Sequence, residues 1–478
     1  MATLRSISAT AEDRRDTAIY LTSSVLEALG YLRSQGKNSI EQAQHALASA
    51  RSLQLDQLTA ELPQLVALTY ILDLICSLMQ GNQPQAEPKL QALHTMLDQR
   101  VNDNHWTVDG TFSIPIHTDA RPQTTIKGTK SHLSSSQDGI ERLTFNWLPK
   151  RDIYALVFFL SGVTVSPKNT LQGLKAETFL KEGLKVTMEE INSPLDSGKG
   201  SLSAIALRLA WRKTLVSHIR LYLAFALCVR TDWDSAIISL KELEQWNGTF
   251  SPDPAPGVLP LLTSYLAGVI HQGTGNLTGA LSIFQSPQFS VLHNPSFDSE
   301  NNSNRTSHDP RRDLSILAAL NSILIIRGLP QPDQELINRI LSIVEPFCVS
   351  HSDQNIKAAY YFIKAIYCAS DPLIKSKQFL QLALKTAQGI ANNQLTFITL
   401  NFMSWKFFRG VVGEQAEKSS RASLRQAKKG MDGLWTSVAE GMLADSLEVQ
   451  GKMDEARSMR EDAIKSAEKI IPRLMKDK

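Results

Sequence analysis

Cysteine is scarce in this chain: 478 residues carry four, at Cys76, Cys228, Cys348 and Cys368, and no two stand at CxxC spacing. That excludes a disulfide framework and a paired-cysteine zinc site. Three of the four sit in apolar helical stretches, where a reduced thiol behaves as a small hydrophobe. An excess of one charge is missing too. A formal net charge of +3 over this length sets up no general attraction to nucleic acid or anionic lipid. Long apolar runs are absent: the longest, residues 153–165, falls well short of the ~20 residues a membrane span requires. The first residues carry Glu12, Asp13, Arg14, Arg15 and Asp16 rather than the apolar core of a signal peptide. The sequons at Asn247, Asn276, Asn301 and Asn304 therefore carry no message, and the chain reads as cytosolic or nuclear.

Catalytic signatures are lacking as well. There is no HExxH, GxSxG or P-loop. Gly273-Thr274-Gly275-Asn276 has the start of a phosphate-cradling loop, but it joins two helical segments, so an inter-helix turn accounts for it. Gly198-Lys199-Gly200-Ser201 reads as linker. The histidines are dispersed: His105, His117, His293 and His308 lack companions at ligand spacing and read as solvated loop residues. His218, inside a helix, reads as a packing residue. No catalytic residue, cofactor or metal is expected.

What is present is the 3.6-residue apolar period, along nearly every long segment. Leu65, Leu68, Ile71, Leu72 and Ile75 form one face, and Leu215, Ile219, Leu223 and Leu227 another. The helices come in pairs with self-similar turns. Gly268, Gly275, Leu277, Ala280 and Phe284 fit the tetratricopeptide pattern: a small residue at the crossing, a glycine ending the first helix, an apolar entry, an alanine at closest approach and a large apolar residue one turn later. Ala444, Gly451, Met453, Ala456 and Ala463 repeat it, as do Ala224, Trp233, Ala236 and Leu240, with weaker copies at Ala86, Ala176, Ser376 and Ala416. Positions 376, 416 and 456 are spaced by 40 residues, longer than the ~34 of the ideal repeat. Small residues are needed there because helix axes pack only about 8–10 Å apart. Pairs that cannot bury their own apolar faces must stack. The fold class is all-α, a tetratricopeptide-like superhelix with degenerate repeats.

Polar stretches divide the chain. The expected organisation is a flexible amino terminus (1–20), helical repeats (21–101), a polar disordered loop (102–140), repeats (141–286), a second polar disordered loop (287–312), and repeats with a carboxy-terminal helix (313–478). Two basic groups, Arg421, Arg425, Lys428, Lys429 and Lys465, Lys469, Arg473, Lys476, Lys478, could meet phosphates or acidic peptides. With Glu461 and Glu468 interleaved in the second, a solvated face is the favoured reading.

At Phe145-Asn146-Trp147-Leu148-Pro149-Lys150, leading into the apolar helix 153–160, the sequence resembles the cohesin-loading factor family, the tetratricopeptide-type subunit of the sister-chromatid cohesion loader. Ala176-Glu177-Thr178-Phe179-Leu180, Asn393-Gln394-Leu395-Thr396 and the final pair through Leu434-Trp435, Gly451 and Ala456 add to the likeness. The resemblance covers most of the chain from about Leu21. In the family, further helical repeats precede the segment similar to residues 21–98, so the chain is expected to lack them.

The resemblance implies a nuclear, non-enzymatic subunit. It would wrap the extended amino-terminal segment of the large HEAT-repeat loader subunit, reach cohesin and chromatin through that partner, and help load cohesin for sister-chromatid cohesion. No membrane contact and no small-molecule substrate are implied. The alternative is a generic adaptor in another assembly, such as a protease lid or ubiquitin ligase. Lid subunits usually finish in a small winged-helix module, and the segment 454–478 reads as helix instead.

A solenoid of this kind lines its concave groove with the first helix of each pair. Counting from the repeat alanines places His218, Phe225, Tyr265, Val269, Gln272, Asn401, Trp405 and Phe408 at partner-binding positions. Phe225 and Val269 suit core packing at least as well. Trp405 and Tyr265 are the best anchors, as large amphipathic aromatics.

Overall fold

The computed structural model describes residues 2–34, 36, 38–52, 62–99, 106–107, 109–117, 140–166, 170–193, 201–250, 257–292, 297, 309–367, 373–408, 414–429 and 432–468. The chain divides into two compact units, 1–77 with 88–154, and 78–87 with 155–478.

The first unit opens with α1 (Ala2–Asp13), α2 (Thr17–Ser34), α3 (Ser39–Arg51), α4 (Pro63–Met79) and α5 (Gln83–Gln99), the last two continuing into the second unit's short segment. The expected flexible amino terminus is corrected: α1 packs on α2. The docking is largely polar, so apolar periodicity does not register it. Arg5 pairs with Glu27 at 2.8 Å and lies over the Tyr31 ring, and the Ser8 and Ser23 hydroxyls are 2.7 Å apart. The pair α2–α3 has a buried small residue, Ala43, on its second helix. Asp73, buried on α4, binds Arg51 at 2.6 Å and Lys89 at 2.8 Å, joining three helices through one carboxylate. A buried carboxylate persists only when paired in this way.

Part of the loop expected over 102–140 is strand instead, while residues 102–105, 108 and 118–139 lie outside the described residues. Thr111–His117 forms strand β1, antiparallel to β2 (Ile140–Asn146), with Thr111 opposite Asn146 and His117 opposite Ile140. Phe112 stacks on Phe145 across the ladder at 5.8 Å. Each strand is short and its partner distant in sequence, so the alternation is hard to read. The Trp147 amide donates to the Gly110 carbonyl, closing the ladder ahead of α6 (Lys150–Val165).

The second unit runs from within α6 through α7 (Thr170–Asn192), α8 (Leu202–Val229), α9 (Trp233–Phe250), α10 (Leu259–Gly273), α11 (Leu277–Phe284), α12 (Pro310–Gly328), α13 (Gln334–Val349), α14 (Gln354–Tyr367), α15 (Leu373–Gly389), α16 (Asn393–Met403), a π-helical turn (Ser404–Phe408), α17 (Glu414–Lys429), α18 (Gly433–Val449) and α19 (Met453–Glu468). Its helices pair as the sequence pattern requires. Ala176, Ala236, Ala280, Ser376, Ala416 and Ala456, one on each second helix, are all 3% exposed or less. Ser376 also donates from its hydroxyl to the Ala365 carbonyl across the crossing, at 2.9 Å. The exception is α12–α13, where Ile337 takes the small-residue place and the two helices approach less closely.

Turns and caps are local and legible. Gly275 and Gly451 adopt left-handed φ of 85° and 80° after the first helices of their pairs, a conformation that glycine enters without a Cβ clash. Ser201, Asn276, Asp333, Asn392 and Asp432 cap α8, α11, α13, α16 and α18, each accepting a hydrogen bond from a first-turn amide. Part of the second expected disordered loop is anchored. Phe289, Val291 and Phe297 are buried, with Phe297 edge-on to Phe347 at 4.9 Å, while residues 293–296 and 298–308 lie outside the described residues.

Candidate partner-binding groove

First helices in this unit are apolar almost all round, because one side meets the paired helix and another faces inward. Two inward stretches result. Along α8 and α10 an aromatic ladder runs from Phe159 to Tyr222 (5.3 Å between centroids), Phe225 (6.5 Å), Tyr265 (6.4 Å) and Phe284 (5.6 Å). His218 stands edge-on to Phe159 and its Nδ1 lies 2.8 Å from the Thr214 carbonyl, so that nitrogen carries the proton and donates along the helix. Phe225 and Val269 pack on the core around Leu221, Trp233 and Leu266. Tyr265 is held by Asn321, whose Nδ2 donates to the phenol oxygen at 2.9 Å; burial pushes the phenol up to about 12. Gln272 is half-buried near the end of α10. His218, Phe225, Tyr265 and Val269 thus take part in packing along this ladder.

The second stretch is open. A cavity of about 590 Å³ is lined by four successive first helices, α12, α14, α16 and α18. Leu317, Asn321 and Leu324 come from α12, and Ala359, Phe362 and Ile366 from α14. Leu395, Ile398, Asn401 and Phe402 come from α16, and Trp435, Val438 and Met442 from α18. None of the described lining residues is charged.

Trp405 completes the wall from the π-helical turn, whose wider winding lets the indole stand 49% exposed, 5.6 Å from the Phe402 ring. Such turns inside helices recur at functional sites. The backbone of Ser404–Phe408 is described, but the side chain of Phe408 lies outside the described residues.

Of the sequence-derived positions, Asn401 and Trp405 are brought together on this groove. Asn321, Phe362 and Trp435 were missed. Trp435 sits in one of the family phrases quoted above, which was the available signal, whereas nothing in hydropathy separates Phe362 from its core neighbours.

Asn401 is 2% exposed; its Oδ1 accepts from the Ser423 hydroxyl at 2.6 Å, while its Nδ2 has no partner among the described residues. An unpaired buried amide donor costs about 1–3 kcal/mol.

Other chemistry-bearing groups are engaged structurally. His351 and Asp313 are buried 3.0 Å apart, and the other ring nitrogen accepts from the Asp353 amide, so both nitrogens are occupied. Burial raises the thiols of Cys76 and Cys228 to about 12 and that of Cys348 further still, keeping all three protonated. Cys368, His105, His293, His308 and residues 469–478 lie outside the described residues. Among the described residues no cluster has the makings of a metal site, and no helix is long and apolar enough to cross a membrane. Two of the four basic residues in the group on α17 are paired with carboxylates. Arg421 meets Glu417 at 2.7 Å and Glu455 at 3.1 Å, and Lys428 reaches the buried Glu440 at 2.9 Å.

Paired helices, small residues at the crossings and an uncharged inward groove define a tetratricopeptide-like helical-repeat protein. More specifically, the chain belongs to the cohesin loading factor family, whose model matches residues 1–454. It shares its fold with a solved structure, the crystal structure of Scc4 in complex with Scc2n and Ctf19n. The TM-score is 0.59 at 11% sequence identity, and the match covers 94% of this chain and 68% of that one. No curated protein sequence matches the chain.

Proposed function

We propose that this chain is the non-enzymatic scaffold subunit of a cohesin loader. It holds the extended amino-terminal segment of the large HEAT-repeat subunit against its inward face and so helps place cohesin on chromatin in the nucleus. The observation that carries this reading is an open, uncharged groove built by four first helices, in a chain of the cohesin loading factor family. The related fold was crystallised with Scc2n and Ctf19n, which supports a peptide-holding role here.

A repeat groove of this kind can bury a long segment that is disordered on its own, offsetting the ordering entropy with area. Asn401 and Trp405 are the contacts we assign first, and His218, Phe225, Tyr265, Val269, Gln272 and Phe408 are the further candidates. Chromatin would be reached through the large subunit, since Arg421 and Lys428 on α17 are committed to carboxylates. Co-expression with the large subunit's amino-terminal segment, followed by size-exclusion chromatography in gentle salt, tests the reading. One shared peak is expected; separate elution overturns it.

A further inference from the structure

Asn401 is an unusual residue in the floor of an apolar groove. Its carbonyl end is fixed by the Ser423 hydroxyl, and its amide donor is buried without an acceptor among the described residues. Asn321, the other polar lining residue, already donates to Tyr265 and to the Leu317 carbonyl. Besides the indole N–H groups of Trp405 and Trp435, the described lining offers one open hydrogen-bond donor, the Asn401 amide, and no charge. We infer that it takes an extended, uncharged stretch of the partner polypeptide, one of whose backbone carbonyls accepts from Asn401 Nδ2 while its side chains seat against Phe362, Trp405 and Trp435. This rests on the scaffold reading above and specifies what the site recognises.

Three physical points favour this occupant. A charged segment would lose its hydration against a lining with no counter-charge. A groove crossing four first helices, at about 10 Å per packed layer, runs roughly 30 Å, the length of about nine extended residues. A backbone carbonyl suits the buried Asn401 donor, because it brings an acceptor without a charge, and a main chain free of sheet pairing has carbonyls to spare. An aliphatic ligand would fill the walls and leave the Asn401 donor unpaired.

The test uses the full chain and an array of overlapping 15-residue peptides spanning the whole large subunit. Binding is compared between wild type, Asn401→Ala and Val438→Lys, the last at a side chain already 38% exposed, where a lysine can be accommodated without repacking. A contiguous set of amino-terminal peptides with an uncharged core should bind, and both substitutions should weaken it about ten-fold or more. Replacing each amide of the best peptide in turn by an ester, a weaker acceptor, should cost about as much at one position in wild type. That reading stands even where Asn401→Ala fails to fold.

Peptides from elsewhere in the large subunit that bind with this dependence would uphold the inference and overturn the scaffold reading. Amino-terminal peptides indifferent to Val438→Lys and to every ester would do the reverse. An array with no binding peptide would overturn both.

Discussion

At Gly268 one methyl group is enough to probe the crossing of α10 and α11. A Cβ there would stand 2.5 Å from Cε1 of the buried Phe284, so ring or helix must move. Gly268→Ala should cost about 1–3 kcal/mol, read as a lower urea midpoint. Asp432 gives a second residue-scale prediction, in pH. It caps α18 through the Trp435 amide, yet burial lifts its carboxyl to about 6 against an unfolded value near 3.9. A folded pKa above the unfolded one means the native state holds the extra proton. The group's contribution is therefore complete below about pH 4 and disappears as pH rises through about 6. Asp432→Asn keeps the cap and removes the titration. Relative to wild type the variant should lose about 1 kcal/mol on going from pH 7.5 to pH 5, measured by denaturant titration at both.

At the scale of the element, α11 and α13 set opposite demands at equivalent places. Ala280 is fully buried where α10 and α11 meet, and Ile337 is fully buried where α12 and α13 meet. Ala280→Ile should destabilise by about 1–3 kcal/mol through overpacking, and Ile337→Ala by about 2–5 kcal/mol through the cavity left behind. Thermal melts of both variants check this, and a neutral result for Ile337→Ala would deny that the wider pair is filled by that side chain.

The same contrast marks what was legible. Ala176, Ala236, Ala280 and Ala456 announce the pairs because a small residue recurs where packing forbids a large one. Ile337 hides its pair, and Ala43 hides another because Asn38, not a glycine, takes the left-handed φ in the turn ahead of it. The strands at 111–117 and 140–146 escape notice because each depends on a distant partner. The groove was half legible. Counting from the alanines reaches Asn401 and Trp405. Hydropathy cannot say which apolar side chain of an all-round apolar helix faces inward, so Phe362 and Asn321 were out of reach.

For the whole molecule, stacked pairs make stability a sum of neighbour terms, while binding draws on several pairs at once. Trp405 separates the two properties. It stands half exposed on the π-helical turn, touching Phe402 and the groove rather than filling a core. The most direct measurement is calorimetric titration of wild type and Trp405→Ala with the large subunit's amino-terminal segment, beside their melting curves. If the groove holds that segment, the substitution weakens binding ten-fold or more, about 1.4 kcal/mol or above, with the melting temperature unchanged. Equal affinity for the two proteins would contradict it, and so would a weakened complex accompanied by a collapse in stability.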